Sequence, residues 1–191
     1  MEKISKVKDL EGFNQITIET NEGKFDISYC GNQDLYMGLY SKNHNRGEKK
    51  EFNITKEDFY IFDAFDKFFN NVKNHANEEK QMSFDDIKPF KNNEIIWYSD
   101  DNEQNNASKL SIKQSDDKNS YKLTFYNGTM NGSDIVTYFV RICNSGSRYK
   151  GYNYYFMKLY QDLLAYNYDL HQIHFEEYLF KKQPQRSLVR R

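Results

Sequence analysis

Cys143-Asn144-Ser145-Gly146-Ser147-Arg148 sets a thiol at the end of an apolar run, then a Gly/Ser loop, an arginine and a helical pattern. Cysteine phosphatases use that layout because backbone N–H groups and a helix N-terminus depress the thiol pKa and bind phosphate, while the arginine clamps its oxygens. The spacing rejects the match. That chemistry needs one more residue between Cys and Arg than the four present here, and Ile142 stands where a His usually precedes the thiol. One missing residue re-aims the guanidinium, so Cys143 is read as a strand residue.

A plainer role for the same loop is an anion nest. Arg141, Arg148 and Lys150 gather near Asn144, Ser145, Gly146 and Ser147 at a strand-to-helix junction, where backbone N–H groups collect. Asn43-His44-Asn45-Arg46-Gly47 has similar ingredients in the first half, so loops 43–47 and 144–153 together are the candidate site for a nucleotide or other anionic small ligand. Neither a Walker-type nor a dinucleotide-binding glycine pattern supports that reading, and Ser, Gly and Asn are what any connector contains.

His171 and His174 stand three apart beside Glu176 and Glu177 and on a helix would share a face. Two imidazoles without a third ligand are not a zinc site. Asp85-Asp86, Asp100-Asp101 and Asp116-Asp117 fall in polar, turn-like stretches without ligand spacing, and no nucleophile motif accompanies His44 or His75. Absence of a motif does not exclude an enzyme centred on Cys143 or on His171 and His174 but removes the usual evidence for one, so the reading leans to a non-enzymatic module, with no catalytic residue, metal or cofactor assigned.

The richest stretch is Arg148-Tyr149-Lys150-Gly151-Tyr152-Asn153-Tyr154-Tyr155-Phe156, where cations and rings interleave. Such mixtures hold single-stranded nucleic acid by stacking and charge, and equally anchor protein contacts. The chain has 27 basic and 28 acidic residues, and the basic tail 181–191 holds five of the former with no acid, so everything before it is net acidic. That balance argues against nucleic acid and for a protein partner. The expected binding residues are Arg141, Asn144, Ser145, Ser147, Arg148, Tyr149, Lys150, Tyr152 and Tyr155.

The elements that must carry these residues read as α+β. Ile16, Ile18 and Thr20 alternate with polar positions, as do Phe25, Ile27 and Tyr29 beyond the turn at Asn21-Glu22-Gly23, which makes a hairpin. Leu35, Met37 and Leu39 supply a third strand. Thr55-Lys56-Glu57-Asp58 has the chemistry of a helix start, and Phe59, Phe62, Phe65, Phe69 and Val72 then recur at spacings of three and four, so one apolar stripe is expected. Ile95–Tyr98, Leu110–Ile112 and Tyr121–Phe125 read as further strands. Ile135–Cys143 is apolar on both faces and is expected in a central position. A second helix carries Phe156, Leu159, Tyr160 and Leu163, and Leu170 to Phe180 is ambiguous between strand and a short third helix, the helix being preferred.

The resulting expectation is one antiparallel sheet of roughly seven to eight strands with two or three helices packed on it, as a single α+β domain over 1–180 followed by the basic tail. Strands followed by a helix occur twice. This fits a duplicated unit, although α+β domains often look so by coincidence, and coincidence is the preferred reading. Two distant cysteines offer no disulfide framework, and no stretch is apolar enough for a membrane span, so a cytoplasmic location without membrane contact is expected. Abundant Asn, Lys, Ile and Tyr with two prolines has the stamp of an AT-rich genome, as in a low-GC bacterium or its phage. Size, composition and lack of motifs suit a regulator or inhibitor carried by a phage or mobile element.

Overall fold

The alternating segments of the first half pair as an antiparallel meander of β1 (Lys3–Leu10), β2 (Phe13–Thr20), β3 (Gly23–Cys30) and β4 (Asp34–Ser41). The computed structural model describes residues 3–10, 13–20, 23–30, 34–41, 49–78, 88–98, 109–126, 136–143, 149 and 151–170. Ile16, Ile18, Phe25, Ile27, Leu35 and Met37 are all buried on one face of this sheet, as their period of two requires. On the other face Thr17 Oγ1 donates to Asp26 Oδ1 at 2.6 Å, and Lys24 Nζ meets Glu19 at 2.9 Å.

The chain then leaves the meander through β5 (Lys49–Thr55). Thr55, its last residue, is an N-cap: its hydroxyl accepts from the Glu57 N–H at 3.3 Å, and the Asp58 carboxylate accepts from the Thr55 N–H at 2.7 Å. A single 3-10 turn (Lys56–Asp58) leads into α1 (Phe59–Glu78). In the second half β6 (Phe90–Lys91), β7 (Glu94–Tyr98), β8 (Lys109–Gln114) and β9 (Ser120–Tyr126) make another meander, succeeded by β10 (Val136–Cys143) and α2 (Asn153–Leu170).

Among the described residues two antiparallel sheets stand in place of the expected one, and each is completed by the other half of the chain. The first sheet runs β1-β2-β3-β4-β10 and the second β5-β9-β8-β7-β6. Both halves thus have the order of four meander strands, a departing strand and a helix, and the departing strands are exchanged. β5 pairs with β9 and β10 with β4, each against the last strand of the opposite meander. Among the described residues β10 is consequently an edge strand in hydrogen bonding and not the central one expected. Its backbone also runs beside β7, β8 and β9 of the second sheet.

One cluster of buried side chains spans both sheets and both helices. Phe25 of the first sheet meets Phe52 of β5 at 5.1 Å and Phe65 of α1 at 5.9 Å, both edge-on. α1 lies on the second sheet through Phe62 and Phe69, whose rings flank Tyr121 at 5.4 and 5.2 Å. Phe156 of α2 joins Phe68 of α1 to Trp97 of β7. No described helix is long and apolar enough to cross a membrane.

Candidate functional site

The junction between β10 and α2 is built around Gly151. Its φ of +83° lies in the left-handed region that an L side chain rarely adopts, and a Cβ there would meet His75 Nε2 of α1 at 3.5 Å. The positive φ, rather than that ordinary contact, is what favours glycine where the chain enters α2. Tyr152 N donates to Tyr149 O and Tyr155 N to Tyr152 O, both at 3.0 Å, which starts the helix.

The tyrosines of this junction divide into two groups. Tyr149 is 1% exposed: its ring stacks on Trp97 at 3.9 Å, and its hydroxyl accepts from the Tyr98 N–H at 3.2 Å. Tyr152 is fully buried, with the His75 ring edge-on at 4.7 Å. These two rings, expected on an open patch, instead fasten α2 to β7 and to α1. Each has a remote partner able to bury it, Trp97 and His75, which local sequence does not reveal. Tyr155 is half-buried beside His75, and burial, then the nearby Glu78 and Tyr154, push its hydroxyl pKa up. Tyr154 is 66% exposed. Of the remaining expected residues, Arg141 lies on β10 in register with Tyr36. Asn144, Ser145, Ser147, Arg148 and Lys150 lie outside the described residues, as do loop 43–47, His171, His174 and the basic tail.

The opposite end of the helix pair presents a surface that periodicity does not reveal. Spacing makes Phe59 the first residue of the apolar stripe, yet it is 65% exposed, and buried positions of α1 begin only at Ile61 and Phe62. The 3-10 turn shifts the phase, and Phe59 itself has φ +29° and ψ −101°, a conformation that costs a bulky residue energy. Beside it Tyr60 is 60% exposed and stacks on Tyr166 of α2 at 4.4 Å. Two concavities adjoin here and share Tyr60 and Asp63. One, of about 440 Å³, is lined by Lys56, Phe59 and Phe62; the other, of about 380 Å³, opens between the helices toward Lys67, Asp162 and Tyr166.

Beneath this end of α1 lies a buried polar tether. The Tyr121 hydroxyl of β9 donates to Asp66 of α1 and accepts from Gln114 Nε2 at 2.9 Å. Burial, reinforced by the Asp66 carboxylate, raises the Tyr121 pKa far above its ordinary value. The tether fixes the helix layer on the second sheet. Among the described residues no group of three or more His, Cys, Asp or Glu is placed to hold a metal. Compared with known proteins, the chain matches no family model, no curated protein and no solved structure.

Proposed function

We propose that the chain is a non-enzymatic binding module whose protein partner docks on the rim formed by Phe59 and Tyr60. The observation that carries this reading is a large, exposed aromatic pair, one member held in a costly backbone conformation, lining two neighbouring concavities. Exposed rings next to a shaped cleft are the usual anchors of protein contacts, and strain kept at an exposed position gains nothing for the fold. Charges of both signs surround the rings: Lys56 and Lys67 on one hand, Asp63 and Asp162 on the other. The partner that fits is an amphipathic segment, such as a helix, with one or two apolar anchors and a flank of mixed charge. Tyr154, within the ring-rich stretch 148–156, offers a further anchor at the far end of the helix pair.

The test is comparative capture from the source cell with wild-type chain and a Phe59→Ser/Tyr60→Ser variant of matched melting temperature. A protein retained by the first and lost from the second is the expected result. Identical capture profiles would remove this surface from consideration.

A further inference from the structure

We infer that the face of the second sheet turned away from α1 is a binding platform for single-stranded nucleic acid. Cross-strand partners share a face, so the register alone defines the composition of this one. Across four strands one row reads Lys49, Tyr126, Lys109, Tyr98, a regular alternation of cation and ring. Neighbouring strands lie about 4.8 Å apart, which sets the two tyrosines roughly 10 Å from each other with a lysine between them and another outside. Both rings are half-buried, that of Tyr98 packed in part against the core cluster, and Lys109 Nζ sits 5.7 Å from the Tyr126 ring centroid.

A second row of the same face reads Asn53, Lys122, Lys113, Glu94, Lys91. Lys113 and Lys122 are directly opposite one another and both exposed, and like charges in that position destabilise a sheet. Lys122 leans toward Glu51 at 3.9 Å, and Glu94 accepts from the Ser111 hydroxyl. The face as a whole sets Lys49, Lys91, Lys109, Lys113 and Lys122 against Glu51 and Glu94, a positive surplus on a chain whose net charge is −1.

Glu94 opposite Lys113 and Glu51 beside Lys122 offset part of this charge, and a polyanion accounts for the lysine surplus that remains. The tyrosines specify which polyanion. Stacked base pairs in a duplex leave no free base face for a ring, whereas an unpaired strand offers one at every nucleotide, and rings with cations on a sheet face hold such strands without reading sequence. Whole-chain charge argues against this partner; the distribution of charge on this face argues for it. This surface is separate from the Phe59–Tyr60 rim, and the inference does not rest on the protein-binding proposal.

The test is fluorescence anisotropy of the full chain with labelled oligodeoxythymidine and oligouridine of about 16 nucleotides, and with a duplex of equal length, over a series of salt concentrations. Single strands should bind more tightly than the duplex, whichever sugar is preferred. Lys109→Gln/Lys113→Gln/Lys122→Gln should flatten the log–log salt slope by about 2, at roughly 0.7 per lost phosphate contact. Lys158→Gln on α2, which removes one charge away from this face, should leave the slope unchanged. Tyr126→Val, which keeps a strand-forming side chain, should weaken single-strand binding about tenfold. Absence of binding at low salt, an unchanged slope in the triple variant, or equal affinity for single strand and duplex would overturn the inference.

Discussion

The aromatic rim of the helix pair and the lysine-rich face of the second sheet each break a rule that the rest of the fold obeys, but by different physics. At the rim the cost is conformational: Phe59 adopts a positive φ and leaves most of its ring in water. On the sheet face the cost is electrostatic: Lys113 and Lys122 oppose each other with the same charge. Local choices that conflict with stability concentrate at functional positions. The two proposed partners differ accordingly, apolar surface for an exposed ring beside a cleft and phosphate for concentrated lysines.

The largest effect expected belongs to neither surface. Phe65→Ala empties a fully buried site between Phe25 and Phe68 and should cost about 3–5 kcal/mol in denaturant unfolding, disabling both surfaces together. Next comes the tether between the two layers. Tyr121→Phe leaves Asp66 and Gln114 without their shared partner and should cost about 1–3 kcal/mol. It should also change the pH profile. The folded hydroxyl keeps its proton to a higher pH than the unfolded value of 10.0, so its contribution is complete below that value and declines as pH rises above it. The wild-type chain should thus lose stability on the alkaline side, and the variant should lose less.

Two smaller effects separate the surfaces from each other. Phe59→Gly relieves the positive φ at a position where little burial is lost, and should raise stability by about 1 kcal/mol while removing partner capture. Lys122→Gln removes the repelling pair and leaves Lys113 opposite Glu94. It should add only about a few tenths of a kcal/mol, because the site is exposed, and should weaken oligonucleotide binding. If either substitution destabilises the chain, the feature it removes is structural and the contrast between the surfaces fails on that side.

Much of the scaffold is legible in the sequence wherever periodicity is strong. The β2–β3 hairpin, β4, β8, β9 and the buried face of α2 come from alternation or from spacings of three and four. β1 escapes because Ile4, Val7 and Leu10 fall three apart across an irregularity in its register, and β5 because only Phe52 and Ile54 alternate behind Lys49, Lys50 and Glu51. The exchange of β5 and β10 is not readable, since it depends on which distant strand completes each meander. The repeated order of strands and helix is visible in the sequence, but nothing local distinguishes exchange from coincidence. Phe59 is misleading because a 3-10 turn and a helix start look alike in sequence, although they differ in phase. Tyr149 and Tyr152 look like surface residues because their burying partners, Trp97 and His75, lie far along the chain. The row Lys49, Tyr126, Lys109, Tyr98 joins residues from four strands, so no local window contains it.

The most direct test is to track backbone amide chemical shifts of the full chain during titration with oligodeoxythymidine. Perturbations should concentrate in β7, β8 and β9, strongest near Lys109, Lys113, Lys122 and Tyr126, and leave Phe59, Tyr60 and Tyr166 unmoved. Perturbations confined to Phe59–Lys67 and the end of α2, with β8 and β9 silent, would contradict the division of the molecule into a protein-facing rim and a nucleic-acid-facing sheet.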